Sequence, residues 1–324
     1  MSNLEDPELR RLAAGLPAIV LRSRADGTTR KYLGAYQRWK RWADARQGVP
    51  GFPVQEIHLA LYLTHLSEST GSKAAVDEAL HALAWMHRVA GLPPVGESPL
   101  VQETAQGLRR LLAKPKQRKE PITPEMLKLM VESVGLTPSL TEVRLLAVCL
   151  LAFAGFMRCD ELVKLQCKDI VFSEEGMVVN VRSSKTDQFR EGASLVIARS
   201  RAVTCPVDMM QRYCTMAEID LTSDAMLFRG IVSVKDGERL RAKGGLSYSR
   251  LRELLLAKIA QMGWDPKLYG MHSLRAGGAT AAANAGVPDR LFKRHGRWKS
   301  ESAKDGYVKD SLESRLTVSK SLGV

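Results

Sequence analysis

The sequence has few cysteines, and none is paired at metal-ligand spacing. The five are Cys149, Cys159, Cys167, Cys205 and Cys214, and no CxxC motif occurs. An odd number at these spacings argues against a disulfide framework and against a zinc site. We therefore expect reduced, mostly buried thiols, as in an intracellular protein.

Long apolar runs are also missing. The longest covers 145–157 and is closed by Arg144 and Arg158, whereas a membrane-spanning helix needs about 20 apolar residues. The first residues, MSNLEDPELRR, are acidic where a signal peptide has a positive start followed by an apolar run. The sequence thus predicts a protein that is neither secreted nor inserted in a membrane.

Acidic residues are in deficit, with 35 Asp and Glu against 48 Lys and Arg, a net charge of +13 over 324 residues. This excess predicts a polyanionic partner, because Lys and Arg that neutralise phosphates release counterions from nucleic acid. An anionic membrane surface would favour basic residues concentrated on one amphipathic helix. Here they run from Arg10 to Lys320, which favours nucleic acid.

The chain is too long for one compact core of ordinary size, which predicts two domains. Helical spacing and turn signals predict helices at about 28–47, 54–67, 72–90 and 97–113. The aromatic stripe in the first of these reads as core rather than as a base-stacking platform. A basic, proline-bounded segment, 114–121, then separates a helical domain at 1–113 from a second domain at 122–324.

In the second domain the hydrophobic period changes. Residues 177–182 and 194–198 are short and β-branched, with a polar connection that carries Lys185, and they predict a hairpin. Helices are predicted at about 206–219, 247–262, 273–285, 288–295 and 309–321. Because no βαβ alternation occurs, a parallel doubly wound sheet is excluded. The expected fold is mainly α with a small antiparallel hairpin or sheet in the C-terminal domain.

Several residues of the second domain suit metal-free attack on a phosphodiester. That reaction needs a nucleophile, cations for the nonbridging oxygens and an acid for the leaving alcohol. Arg158 and Arg275 can bind phosphate oxygens in a bidentate manner; Tyr307 is the candidate nucleophile and Lys185 the candidate acid. We find no carboxylate cluster of the kind that two-metal nucleases require, so we expect neither a metal nor another cofactor.

These residues occur in motifs that resemble the tyrosine site-specific recombinases and integrases, most closely the Cre-like branch. The motifs are GFMRCDELVKL at 155–165, SKT at 184–186, HSLR at 272–275, and Trp298 nine residues before Tyr307. The segment 79–94 also looks like the end of the Cre-like N-terminal domain. The resemblance covers nearly the whole chain and implies a two-domain DNA clamp, with a SAM-like core-binding domain before the catalytic domain.

The resemblance implies a role for each matched residue. Arg158 and Arg275 would clamp the scissile phosphate with support from Glu161, and Lys185 would protonate the departing 5′-hydroxyl. His272 would assist proton transfer or hold the phosphate, and Trp298 would donate its indole N–H. Tyr307 would form a 3′-phosphotyrosyl intermediate without metal or ATP.

Simpler interpretations remain open for several of these residues. Lys185 alone reads as a solvated hairpin lysine, His272 as a histidine near a helix start, and Trp298 as packing. Tyr213, Tyr248 and Tyr269 compete with Tyr307, which only its distance from Trp298 favours. His295 lies three residues before Trp298 and reads as structural or phosphate-contacting. The residues considered for DNA contact are Tyr248, Arg250 and Arg252 in one helix, and Lys73 and Arg88 in the first domain.

The last predicted helix, 309–321, has an apolar stripe that includes Leu312, Leu316 and Val318. It could dock on its own domain; the resemblance implies docking on a neighbour, hence a monomer in solution that assembles as a homotetramer on two DNA duplexes. The leading hypothesis is a site-specific DNA strand-exchange enzyme. Two others stay open, a domesticated DNA-binding protein and a relaxing enzyme like a type IB topoisomerase. We expect a DNA-associated protein of the nucleoid or the nucleus.

Overall fold

A computed structural model describes residues 5–115, 117–182, 192–310 and 312–323. The chain divides into two compact units, Met1–Lys116 and Gln117–Val324, and the division falls within the predicted linker. All five cysteines are buried and unpaired, and burial raises the pKa of the Cys149 thiol to about 12. Among the described residues, no helix has both the length and the apolarity needed to cross a membrane.

The first unit is helical throughout its described part. Its helices are α1 (Pro7–Leu21), α2 (Asp26–Asp44), α3 (Glu56–Thr70), α4 (Lys73–Val89) and α5 (Pro99–Leu111). The aromatic stripe of α2 packs in the core at its centre, as predicted. Its Trp39 is fully buried, and Nε1 of Trp39 donates to the Gly51 carbonyl over 2.7 Å. Helix α1 was not predicted; its Leu9, Leu12 and Leu16 are exposed.

The second unit is built around α7, whose residues from Val143 to Ala152 are all buried. A capping box between Ser139 and Glu142 fixes its start. The helices of this unit are α6 (Pro124–Glu132), α7 (Leu140–Ala154), α8 (Cys159–Leu162), α9 (Pro206–Met216), α10 (Tyr248–Gln261), α11 (Met271–Asn284), α12 (Asp289–Gly296), α13 (Glu301–Asp305) and α14 (Leu312–Lys320).

Two small antiparallel sheets complete this unit. The first has the order β1-β2-β3, with β1 (Ile170–Phe172), β2 (Gly176–Val181) and β3 (Ala193–Ala198). Its β2 and β3 are the predicted hairpin, and the register ends at Val181 opposite Ala193. The second pairs β4 (Arg229–Val234) with β5 (Gly237–Gly245). The predicted fold class is confirmed, while β1 and the second sheet were missed.

A pair of glycines lets α11 approach the end of α7. A Cβ on Gly277 would overlap the carbonyl of Ile122, and one on Gly278 would overlap the carbonyl of Phe153. Backbone atoms on both sides leave no flexible group to yield. The close approach brings Arg275, in the preceding turn of α11, against the chain that follows α7.

We predict that Gly278→Ala destabilises the second unit by about 1–3 kcal/mol, because the added methyl overpacks a backbone contact. Gly107→Ala in α5 is the control, since a Cβ there meets nothing within 4 Å. That control is expected to stabilise by about 0.5–1 kcal/mol. Urea unfolding followed by circular dichroism measures both. Equal effects of the two substitutions would contradict the proposed contact.

Candidate active site

Arg275 is buried at the centre of the candidate site and is 0% exposed. Its Nη1 donates to the carbonyl of Phe156 and its Nη2 to that of Gly296, the latter over 2.7 Å. Burial, together with the charge of Arg158, lowers the pKa of this guanidinium to about 10, so it stays charged at neutral pH. Its Nε is buried without a hydrogen-bond partner.

Arg158 precedes the short helix α8 and shares a carboxylate with another arginine. Glu161, only 2% exposed, accepts from Arg158 Nη1 at 3.0 Å and from the Arg158 backbone N–H at 2.9 Å. Its Oε2 also accepts from Arg297 Nη2 at 2.8 Å. Two arginines, Arg158 and Arg297, thus share a single carboxylate. With Arg275 as a third cation, the local charge suits an anion.

An aromatic cluster forms the opposite wall of the site. Trp298, 5% exposed, packs on Phe292 with ring centroids 5.0 Å apart and on Phe156 at 5.9 Å. Its indole Nε1 is buried without a hydrogen-bond partner. Packing explains the ring, and the N–H is a second unpartnered donor of the site.

Tyr307 lies against this wall and under the buried arginine. Its ring centroid is 5.8 Å from that of Trp298 and 4.8 Å from Cζ of Arg275. The backbone carbonyl of Tyr307 accepts from Thr280 Oγ1 at 3.4 Å, which ties the segment to α11. The half-buried ring is thus held in cation–π contact with Arg275.

The competing tyrosines have other surroundings. Tyr213 is fully buried, its hydroxyl donates to the Leu227 carbonyl over 2.8 Å, and burial raises its pKa. Tyr248 is 50% exposed at the start of α10. Only Tyr307 combines an aromatic wall with a guanidinium among the tyrosine contacts described.

The two histidines differ in accessibility. His272 is exposed in the first turn of α11, one turn before Arg275. His295 lies within 2.7 Å of the Ala154 carbonyl through Nε2, with its ring edge on Phe156, and burial lowers its pKa. These contacts favour a structural role for His295 over a role in contacting phosphate.

The remaining predicted residues divide by position. Lys185 and its SKT motif lie outside the described residues. Tyr248, Arg250 and Arg252 are exposed at the start of α10, and Lys73 and Arg88 are exposed on α4. In the described part of the chain, no group of three or more His, Cys, Asp or Glu side chains could hold a metal ion.

Sequence reasoning missed Arg297, the third guanidinium of the site. Four protein oxygens accept from its two Nη atoms, and the side chain is 9% exposed. Burial lowers its pKa, and Glu161 opposes that effect. No motif marked this residue, because its contacts join segments more than 130 positions apart in sequence.

Comparisons with known proteins bear on the fold. No protein-family model matches the chain. A curated relative, the integrase/recombinase XerD homologue of Selenomonas ruminantium, is 26% identical over 291 residues, covering 89% of this chain and 82% of that protein.

Solved structures share the fold at lower identity. XerH recombinase bound to a palindromic difH substrate matches with a TM-score of 0.61 and 17% identity, over 90% of this chain and 79% of that one. A lambda integrase dimer bound to a COC′ core site matches with a TM-score of 0.59 and 16% identity, over 94% of this chain and 95% of that one. The Tn1549 integrase in complex with circular intermediate DNA matches with a TM-score of 0.56 and 13% identity, over 87% of this chain and 90% of that one.

The chain has the fold of tyrosine recombinases and integrases. Over most of its length it is also similar in sequence to an integrase/recombinase XerD homologue. These comparisons do not single out the Cre-like branch, which stays a prediction.

We predict that Glu161→Gln destabilises the second unit by about 3 kcal/mol, because two buried guanidiniums lose their only shared carboxylate. Asp160→Asn is the matched control from the same helix. Asp160 pairs with Lys164 over 2.7 Å where both are more than half exposed, so its loss should cost at most about 0.5 kcal/mol. Urea unfolding of both variants tests this, and a Glu161→Gln effect as small as the control's would contradict the buried ion triad.

Proposed function

We propose that the protein is a site-specific DNA recombinase that cleaves and rejoins strands through a 3′-phosphotyrosyl intermediate. The observation that carries the proposal is the placement of Arg275, a buried cation 4.8 Å over the ring of Tyr307 with an unpartnered Nε. Relatives with this fold are bound to recombination-site DNA.

In the proposed cleavage step, the Tyr307 oxygen attacks the scissile phosphorus. Its bond to phosphorus forms as the phenol proton passes to His272 or to solvent. The bond from phosphorus to the 5′-oxygen breaks, and Lys185 gives the departing oxygen its proton. Arg158 and Arg275 neutralise the nonbridging oxygens as charge builds up, and the Trp298 N–H adds a neutral donor.

Rejoining reverses these bonds. A 5′-hydroxyl of a second strand attacks the phosphotyrosine, and the phenol leaves. One phosphodiester is exchanged for another at each step, so no external energy source is required. The role we propose for His272, exposed one turn before Arg275, is to contact the phosphate or relay a proton.

DNA binding is proposed for both units. The exposed start of α10, with Arg250 and Arg252, can enter a groove or contact phosphates, and Lys73 and Arg88 supply cations in the first unit. The net charge of +13 provides the sequence-independent part of the affinity. The assembled arginine–tyrosine site favours an active enzyme over a domesticated DNA-binding protein.

We predict that wild-type protein forms a covalent adduct with DNA and that Tyr307→Phe abolishes it. The probe is a pool of duplexes with random central sequence and a 5′-bridging sulfur, whose thiolate departs without a proton and does not rejoin efficiently. Denaturing gels detect the adduct, and sequencing of captured DNA identifies the site. Tyr269→Phe, at another of the competing tyrosines, is the control and should keep the adduct. An adduct that persists in Tyr307→Phe would disprove the nucleophile assignment.

We further propose that the protein acts as a homotetramer on two duplexes, joined through α14. Leu312, Leu316 and Val318 on this helix are 71%, 42% and 68% exposed, so they lack a full partner within their own unit. An apolar cavity of about 620 Å³ lies in the same unit, lined in part by Phe153, Leu195, Ala282, Leu291 and Phe292. The occupant we propose is α14 of a neighbouring copy, as in a cyclic exchange.

We predict that deleting residues 309–324, or the double substitution Leu312→Glu and Leu316→Glu, prevents pairing of two DNA sites while single-site binding persists. The charges oppose burial in an apolar cavity. Leu136→Glu is the control, since Leu136 is 97% exposed away from α14. Analytical ultracentrifugation on the captured DNA site measures the stoichiometry. Tetramers that form normally in both α14 variants would refute the exchange.

A further inference from the structure

Arg297 occupies a backbone conformation that ordinarily belongs to glycine. It follows α12 with a φ of 55°, in the left-handed region where an L side chain crowds its own carbonyl. Such a position costs on the order of 1–3 kcal/mol and persists where the surroundings enforce it. A glycine at 297 would remove this strain. We therefore expect the arginine side chain to make contacts that offset the cost of the backbone conformation.

The side chain joins the loop before Trp298 to the turn before Arg158. Nη1 donates to the carbonyls of Gly155 at 3.2 Å and His295 at 3.1 Å. Nη2 donates to the carbonyl of Phe156 at 3.2 Å and to Glu161 Oε2 at 2.8 Å. One guanidinium therefore connects the two segments that hold the candidate catalytic side chains.

Two of the four acceptors of Arg297 have a further link to the site. The Phe156 carbonyl also accepts from Arg275, and Glu161 also accepts from Arg158. Arg297 thus shares one acceptor with each of the arginines assigned to the phosphate. Its Nη donors are engaged by four protein oxygens and its side chain is 9% exposed, so contacts within the protein hold this guanidinium in place.

We propose that Arg297 is a positioning residue: through Glu161 and the Phe156 carbonyl it fixes the guanidiniums of Arg158 and Arg275 for the transition state of strand cleavage. This inference rests on the proposed recombinase function. A misplacement of about 1 Å in such groups can cost on the order of 100-fold in rate, whereas DNA binding, which many phosphate contacts share, should change little.

The test compares Arg297→Gly, Arg297→Lys and Glu218→Gly. Glycine accepts the left-handed backbone, so the first variant removes the side chain without adding strain. Glu218 is the matched control, a second non-glycine residue with positive φ, 48°, exposed after α9. For each protein we would measure thermal unfolding, Kd for the captured DNA site, and the single-turnover rate of adduct formation at saturating DNA, with the natural oxygen ester in a nicked duplex.

We expect Arg297→Gly to lower the rate at saturating DNA about 100-fold, with Kd within about threefold of wild type. Arg297→Lys should recover part of the rate, because an ammonium can still pair with Glu161. In a Glu161→Gln background, Arg297→Gly should add little further loss, since the two residues act as one unit. Glu218→Gly should cleave at the wild-type rate.

A merely structural role predicts another pattern: Arg297→Gly would lower the unfolding temperature, while the folded fraction cleaves at the wild-type rate. That result would overturn the proposal. If Arg297→Gly does not fold, Arg297→Lys tests the proposal instead. A lower cleavage rate of Arg297→Lys at unchanged Kd supports the positioning role, and a wild-type rate refutes it. Failure of the recombinase function itself is distinguishable, because wild-type protein would then form no adduct with any duplex of the pool.

Discussion

The catalytic unit depends on one buried carboxylate. Glu161, 2% exposed, accepts hydrogen bonds from Arg158 and Arg297, and without it two guanidiniums would lie in a poorly solvated site with no counterion. Burial of such charges is tolerated only when they are paired and hydrogen-bonded. Because the partners come from segments on either side of α11, this ion triad also sets the distance between the end of α7 and the loop that carries Trp298.

The same arrangement suits phosphoryl transfer. Arg158 and Arg297 share one carboxylate and Arg275 adds a third cation, so the site keeps excess positive charge. The rings of Phe156, Phe292 and Trp298 pack beside it as an apolar wall. In such surroundings charge–charge interactions are stronger than in bulk solvent. In the proposed mechanism, the buried and unpartnered N–H groups of Arg275 and Trp298 would be donors fixed before substrate binds, as electrostatic catalysis requires.

Much of this fold was accessible from the sequence because its signals are local. Helical spacing predicted α2 to α5, and short β-branched segments predicted the hairpin of β2 and β3. Each predicted boundary lies within a few residues of the observed one. Helix α1 was not predicted, because its leucines face solvent and Pro17 interrupts the helical spacing of apolar residues. Strand β5 escaped because GERLRAKGG is charged and glycine-rich, so pairing with β4, and not strand propensity, makes it a strand.

The sequence by itself determined the residue types, their order and the spacing from Trp298 to Tyr307, and these were enough to predict the family. The tertiary structure alone decided that His295 binds the Ala154 carbonyl, that Arg275 lies over the Tyr307 ring, and that Arg297 completes the ion triad. The physical reason is that spacing along a chain constrains contacts only within a helix or hairpin. Contacts across more than 100 positions follow from how α7, α11 and α12 pack, for which the close approach at Gly277 and Gly278 is required.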